Sequence, residues 1–305
     1  AGVGFYFAPN IYWMILFRTL NGVGSATWVA TTVMFGTYFD GEQRIKNMSL
    51  LNSMNYIGQL LASIAAMGVT ARYGMRSAFA LASLIAVVPV TISMTLKKRV
   101  SDKKPLAVRE LMTVAKSRWI WTTAMMSVLC HIMLFASLSG FTPQLALRLG
   151  ASNALLGLIQ LLTAGCSALC TIFASRFLIG RFGARNTVIV LLSVQAATVL
   201  LQPLAPSIAA LYLLAAVCGA ASGASVSLLL GLATLPFPEE KRAAAMGAYQ
   251  AIYSIGIVLG PTIAGAVMQG FGLDAAFYIV GGLGFAAPLI GLTLLRDERN
   301  MQHTV

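Results

Sequence analysis

One arginine and one histidine, Arg18 and His131, stand inside long uncharged stretches of this sequence. An arginine among apolar residues is costly at lipid depth unless it is paired or hydrated, so Arg18 is a candidate functional cation. The alternative is that its long side chain reaches the headgroup layer. A histidine changes charge near neutral pH, which makes His131 a candidate proton carrier or substrate ligand. Its alternative is a neutral ring that hydrogen-bonds to a neighbouring helix.

Neutral polar side chains recur at helical spacing in the same uncharged stretches. Asn52, Asn55 and Gln59 stand at i, i+3 and i+7, which places three amides on one helix face. Amides that face lipid are unfavourable, so this face is expected to line a water-filled cavity or, alternatively, to hydrogen-bond between helices. The further candidates for cavity lining are Asn21, Ser127, Gln160, Gln250 and Tyr253.

A group of glycines with one proline suggests a mechanical role. Glycine lets two helices approach closely, and Pro261 removes a backbone hydrogen bond and bends its helix. A bend beside a closely packed face can serve as a pivot, although plain packing without motion explains the same residues. The candidates for hinge or packing positions are Gly22, Gly247, Gly256, Gly260, Pro261 and Gly265.

The composition identifies the environment in which these residues act. The chain has 305 residues, of which 58% are hydrophobic and 10% charged, whereas a soluble domain carries about a quarter charged residues. A soluble globular enzyme is therefore excluded. A membrane enzyme would need a nucleophile, a metal cluster or paired carboxylates, and the apolar runs contain no such set. Four cysteines stand in apolar runs without metal spacing, so we expect no metal site and no cofactor.

The uncharged runs reach the ~20 residues that cross a bilayer as a helix. They predict an all-α membrane protein with nine complete spans after a short stub, Ala1 to Phe7. Prolines separate the stub from the first span and divide the longest run near residues 202–207. The predicted spans are 11–38, 46–70, 76–96, 119–142, 153–175, 185–203, 207–235, 242–269 and 274–295.

The basic residues predict the orientation. Of the 21 Lys and Arg, seventeen fall in alternate connections and three in the others, and basic residues are retained in the cytoplasm. We therefore expect a plasma (inner) membrane protein with a cytoplasmic C-terminus. The most basic connection, residues 97–118, is expected to touch anionic membrane lipid rather than nucleic acid.

An internal repeat predicts the domain organisation. Phe39 to Arg44, Met48 and Gly58 are matched at a constant offset of 198 by the segment from Phe237 that includes Met246 and Gly256. The predicted parts are 1–96 as the remainder of an N-terminal six-helix bundle, 97–118 as a linker, 119–295 as a C-terminal six-helix bundle and 296–305 as a tail. Because the first bundle is short of helices, the sequence is expected to be N-terminally truncated.

The segment Ile15 to Gly24 contains an arginine followed four positions later by a glycine, Arg18 and Gly22, and resembles the fourth-helix motif of the major facilitator superfamily. The resemblance implies two six-helix halves related by an axis along the membrane normal. It also implies a role for Arg18 in proton coupling. The segment Arg181, Gly183 and Arg185 resembles that family's basic gating loop, with Gly180 where the pattern has an acidic residue.

The spacing of Gly247, Gly256, Gly260, Pro261 and Gly265 resembles the glycine-proline motif of drug/proton antiporters. There the motif lies on the fifth helix, whereas here it would lie on the eleventh. The expected function is secondary active transport of a small organic solute, as proton-coupled efflux by alternating access of a monomer. An uptake symporter, a metabolite facilitator or a non-transporting remnant are the alternatives.

Overall fold

The computed structural model describes residues 2–36, 38–39, 41–74, 76–95 and 108–295. These residues form helices and turns and contain no β-strand, as the composition predicts. The predicted linker is described only from Val108, and the predicted tail at 296–305 lies outside the described residues. The helices are α1 Gly2–Phe7, α2 Ile11–Ser25, α3 Thr27–Gly36, α4 Gly41–Tyr73, α5 Ser77–Thr95, α6 Val108–Ala115, α7 Arg118–Ala136, α8 Thr142–Arg148, α9 Asn153–Phe173, α10 Ile179–Leu201, α11 Ile208–Ala233, α12 Glu239–Phe271, α13 Leu273–Gly284 and α14 Ala286–Leu294.

Six helical runs in the described part of the chain are long and apolar enough to cross a membrane. Several of them join two of the helices through a π-helical turn, a 3-10 turn or a bend. The runs are Ser77–Thr95, Arg118–Arg148, Leu155–Leu204, Ile208–Ala233, Glu239–Phe271 and Leu273–Leu294.

In the first predicted span, 11–38, the α-helical pattern is interrupted at one residue, Ala26, between α2 and α3, and its backbone keeps right-handed helical angles of φ −62° and ψ −19°. The hydroxyl groups of Ser25 and Thr27 donate to the carbonyls of Asn21 and Gly24, over 2.9 Å and 2.8 Å. Hydroxyls that bond to nearby backbone carbonyls compete with the helical pattern, and the glycines of this segment weaken it further. Apolar content alone did not predict this interruption.

The run Leu155–Leu204 changes direction at Gly183, whose φ of +78° lies in the left-handed region. That conformation carries a penalty for residues with a Cβ, so the glycine permits the turn. The run ends in the 3-10 turn Gln202–Leu204, where the prolines predicted a break. Ser207 then caps α11, since its side chain accepts a hydrogen bond from the backbone N–H of Ala210 over 3.2 Å.

The chain divides into two compact units. One comprises Ala1–Thr31 with Leu61–Pro105, and in its described part the ring of Phe5 stacks on Phe79 with centroids 5.2 Å apart. The other comprises Thr32–Leu60 with Leu106–Val305 and contains the buried apolar core. The side chains that carry the following sites, apart from Arg18 and its neighbours, belong to this second unit.

Candidate functional site

His131 lies near the middle of the run Arg118–Arg148 and is 5% exposed. Its Nδ1 lies 2.7 Å from the carbonyl oxygen of Ser127, one turn earlier on α7. A carbonyl oxygen only accepts, so Nδ1 carries the hydrogen and Nε2 presents a lone pair. No hydrogen-bond partner for Nε2 is found among residues 108–295 or the described residues before them. The neutral ring therefore keeps one acceptor for another molecule.

An aromatic side chain from α12 lies against the face of the His131 ring. The ring of Tyr253 lies parallel to it, with centroids 4.4 Å apart and planes inclined by 14°. One turn earlier on α12, the buried Tyr249 donates its hydroxyl to Ser127 Oγ over 2.8 Å. Ser127, His131 and Tyr253, which the sequence placed among the site candidates, are thus brought together, and Tyr249 is an addition.

The predicted amide face of α4 divides into two environments. Asn52 is 6% exposed, and its Nδ2 donates to Ser227 Oγ on α11 over 2.6 Å. Asn55 and Gln59 are exposed and bonded to each other, with Gln59 Nε2 donating to Asn55 Oδ1 over 2.5 Å. The interhelical bond foreseen as an alternative is therefore present at Asn52, whereas the other two amides lie on the exposed part of α4.

The other two glutamines proposed for cavity lining also differ from each other. Gln250 is buried on α12, and its Nε2 donates to Thr32 Oγ1 on α3 over 3.1 Å. The hydroxyl of Tyr253 lies 3.4 Å from Gln250 Oε1 and donates to it, which joins this amide to the aromatic group beside His131. Gln160 on α9 is exposed.

The glycines of α12 account for its close approach to α7. A Cβ at Gly256 would overlap the carbonyl oxygen of Val128, and one at Gly260 would lie 2.8 Å from the carbonyl oxygen of Ile132. Gly247 has open space around it, and Gly265 would only touch the Phe141 ring at 3.9 Å. Pro261, next to Gly260, is exposed. Close packing of α12 on α7 therefore requires glycine at two of the four candidate positions, Gly256 and Gly260.

Arg18, Asn21 and Gly22 belong to α2 in the first unit and are exposed there. A Cβ added at Gly22 would meet no neighbouring atom within 4 Å among the described residues. The structure therefore leaves the proposed roles of Arg18 in coupling, Asn21 in cavity lining and Gly22 in packing as predictions.

The predicted gating loop contains a turn and an anchoring arginine. Gly183 makes the turn inside α10, where its backbone departs from helical geometry. The guanidinium of Arg185 donates to the carbonyl oxygen of Leu292 over 2.7 Å, near the C-terminal end of α14. A cation at this end of a helix bonds an unsatisfied carbonyl and interacts favourably with the helix dipole. Arg181 is exposed and lies over the Phe182 ring.

A buried glutamine on α10 is a polar contact that the sequence did not single out. Gln195 is fully buried, its Nε2 donates to the backbone carbonyl of Cys130 over 3.0 Å, and its Oε1 accepts from Cys130 Sγ over 3.2 Å. This contact lies beside His131 in sequence and ties α10 to α7. The signal that could have revealed it is an isolated glutamine in an apolar run, which needs a partner away from lipid.

The described residues contain no group of three or more His, Cys, Asp or Glu that could hold a metal ion. The described carboxylates lie in the first turns of helices or on the short α6. The candidate site in the second unit is therefore built from a neutral imidazole, aromatic rings and amides rather than from carboxylates.

Comparison with known proteins identifies the family. The family model described as Major Facilitator Superfamily matches residues 1–145 and 124–304. The chain belongs to the major facilitator superfamily. The two matches overlap and together extend over nearly the whole sequence. The superfamily consists of membrane transporters and not of enzymes, which agrees with the expectation from composition.

Two curated superfamily relatives match part of the chain. The tetracenomycin C resistance and export protein of Streptomyces glaucescens is 32% identical over 119 residues, which is 39% of this chain and 22% of that protein. The uncharacterized MFS-type transporter YcnB of Bacillus subtilis is 26% identical over 128 residues, or 42% of this chain and 27% of that protein. The matched part thus spans about a quarter of the length of each relative.

A solved superfamily structure shares the fold. The crystal structure of the human organic anion transporter MFSD10 (TETRAN) superposes with a TM-score of 0.76 and 15% sequence identity. The alignment covers 95% of this chain and 73% of that one. At this identity the likeness establishes the major facilitator fold alone.

Proposed function

We propose that this protein is a secondary active transporter that exports a small organic solute in exchange for protons by alternating access. The proposal that transport is outward rests on the similarity to the tetracenomycin C resistance and export protein, a relative whose name states an activity. Membership of the major facilitator superfamily supports the alternating-access mechanism, in which two bundles rock about a site near the midplane.

His131 supplies a chemical basis for exchange. In the neutral ring, Nε2 accepts a hydrogen bond, so it can bind a hydroxyl or amide hydrogen of the solute. Protonation at Nε2 removes that lone pair and places a positive charge where the described residues provide no carboxylate. Solute and proton then compete for one atom, and such competition is what an antiporter requires. Arg18 is the second proposed coupling residue, on the family resemblance.

The remaining polar candidates have supporting roles in this proposal. Asn55, Gln59, Gln160 and Tyr253 carry amide or hydroxyl groups that are not fully buried, so they can face a hydrated cavity. Gly256, Gly260 and Pro261 form the proposed pivot between α12 and α7, and the turn at Gly183 with Arg185 belongs to the proposed gate. We further propose that the protein acts as a monomer in the plasma membrane with its C-terminus in the cytoplasm.

Flux measurements in vesicles test the proposal. The full-length gene product is reconstituted in proteoliposomes, and dye or drug flux is followed with and without an imposed pH gradient. Saturable flux that responds to the gradient is expected. In His131→Asn the gradient response should be lost while gradient-independent exchange or binding of the dye persists. Saturable flux that ignores the gradient in the unmodified protein would contradict proton coupling.

Direction is tested separately in cells. Expression of the protein should lower the accumulation of the transported dye, and dissipation of the proton gradient should restore it. Accumulation that rises on expression would instead favour uptake.

A further inference from the structure

Asn52 and Gln250 occupy equivalent positions of the internal repeat, because the offset of 198 that relates Met48 to Met246 also relates these two amides. Both are buried, at 6% and 7% exposed. Each donates its amide N–H to a hydroxyl on a helix of the other half of the sequence: Asn52 to Ser227 over 2.6 Å, and Gln250 to Thr32 over 3.1 Å.

The acceptor helices are equivalent as well. Thr32 lies on α3, which precedes α4, and Ser227 lies on α11, which precedes α12. Upstream of the repeat motif the offset is 197, as the pair Gly22 and Gly219 shows. By that offset the counterpart of Ser227 is Ala30, two positions before Thr32. The two amide donors are therefore equivalent in the repeat, whereas the two hydroxyl acceptors lie on equivalent helices at different positions.

Apolar packing surrounds both amides. Met48 and Met246 stand one turn before Asn52 and Gln250, and both methionines are 0% exposed. Ile45 is 1% exposed, and a Cβ added at Gly231 on α11 would lie 3.1 Å from its Cα. Among the described residues of α4, the buried side chains all lie between Ile45 and Ser53. Ile45 of α4 and Gly231 of α11 are therefore in close contact.

We propose that Asn52–Ser227 and Gln250–Thr32 form a latch, with its two amides at equivalent positions of the repeat, that holds the cytoplasmic halves of α4 and α12 closed in this conformation. A buried amide must keep a partner, and in the closed contact the hydroxyls supply it. When these halves separate, water replaces the hydroxyls and the same amides come to line the opened cavity. The inference rests on the proposed function, because only an alternating-access cycle requires these halves to part.

The Ser227 hydroxyl takes part in two hydrogen bonds, one as acceptor and one as donor. Ser227 Oγ accepts from Asn52 and donates to the carbonyl oxygen of Gly223 over 2.8 Å. Gln250 receives the Tyr253 hydroxyl at its Oε1 while its Nε2 bonds to Thr32. Tyr253 stacks on His131. The Gln250–Thr32 bond of the latch is thus connected, through the contacts of Tyr253, to His131, the residue proposed to bind the proton.

Side-specific labelling tests the latch without any substrate. Ser49 is fully buried at this contact and its Oγ has no hydrogen-bond partner among the described residues, so Ser49→Cys is a conservative reporter. The reporter is placed in a full-length protein whose native cysteines are replaced, and a membrane-impermeant maleimide is added to inside-out vesicles. Asn52→Ala or Gln250→Ala should each raise the labelling rate about threefold, and the double variant about tenfold.

The matched controls are Asn47→Ala on α4 and Ser254→Ala on α12, whose side chains donate to backbone carbonyls of their own helices. Both should leave the labelling rate unchanged. Unchanged rates in Asn52→Ala, Gln250→Ala and the double variant would overturn the latch. Equal acceleration by the two controls would also overturn it, because the effect would then not be specific.

A cross-link covers the case in which an alanine variant fails to fold. In the same background without native cysteines, the pairs Asn52→Cys with Ser227→Cys and Thr32→Cys with Gln250→Cys should each form a disulfide on mild oxidation. Oxidation should protect both thiols from maleimide and stop flux, and reduction should restore both. Free thiols after oxidation, or full flux in the cross-linked protein, would contradict the latch. Flux absent from every form, including the unmodified protein, would reject the proposed function but leave the labelling result standing.

Discussion

The ring of His131 lies parallel to that of Tyr253, with centroids 4.4 Å apart. The two residues stand on α7 and α12, which approach closely where Gly256 and Gly260 meet the α7 backbone. Aromatic pairs contribute about 0.5–1.5 kcal/mol beyond their buried area. The stack therefore fixes the plane of the imidazole and with it the direction in which Nε2 presents its lone pair.

Replacement of Tyr253 should separate the role of the ring from that of the hydroxyl. Tyr253→Leu removes the stacked face, and we expect transport to fall about tenfold because Nε2 loses its fixed direction. Tyr253→Phe keeps the face and loses only the 3.4 Å contact with Gln250, so most of the activity should remain. Initial rates in proteoliposomes measure both. Equal loss in the two variants would show that the hydroxyl, rather than the stack, is the important group.

The two tight glycines of α12 should not tolerate larger residues. In Gly256→Val the side chain would overlap the Val128 carbonyl and push α12 away from α7. Overpacking costs about 1–3 kcal/mol, so the midpoint of thermal unfolding in detergent should drop by several degrees. Gly247→Val is the matched control on the same helix, since open space surrounds that glycine. A larger loss for Gly247→Val would refute the packing explanation.

Arg185 should matter more than Arg181. The first guanidinium bonds to the carbonyl of Leu292, whereas the second is exposed beside Phe182. Arg185→Ala removes a charge-assisted bond at a helix end, worth about 1 kcal/mol, and should raise protease sensitivity after α14. Arg185→Lys should recover part of the protection. Limited proteolysis of inside-out vesicles makes the comparison, with Arg181→Ala expected to match the unmodified protein.

Labelling should distinguish the amides of α4. Cysteines at positions 55 and 59 replace exposed side chains, and a hydrophilic maleimide should react with both if this face borders water. A cysteine at position 52 lies in the closed contact and should react at least tenfold more slowly. Protection at all three positions would mean that the exposed amides face lipid, and the hydrated-cavity proposal would fail.

The sequence was a good guide where one strong physical rule applied. Apolar runs predicted an all-helical membrane protein, the prolines at 203 and 206 predicted the break before α11, and the motif around Arg18 with the repeat indicated the family. It was a weaker guide at Ala26, because a competition between hydroxyls and backbone bonds does not reduce hydropathy.

Polar contacts between distant helices were the hardest to foresee. Periodicity placed Asn52, Asn55 and Gln59 on one face, but it could not tell that Ser227 lies opposite the first of them. The same holds for Gln195 and Cys130, which are 65 residues apart in the chain. A pattern along one helix reports which side is polar, whereas the identity of the partner depends on how the helices cross.

His131 donates its Nδ1 hydrogen to the Ser127 carbonyl oxygen over 2.7 Å. A carbonyl oxygen cannot pass a hydrogen onward, and the Ser127 hydroxyl lies farther from Nδ1, at 3.4 Å, and accepts the hydrogen of Tyr249. In the proposed exchange, a proton that binds at Nε2 is therefore expected to leave by the same atom, after access to that atom has changed from one side of the membrane to the other. An imidazole held in this way would limit the passage of protons without solute, and each transport cycle would then exchange one proton.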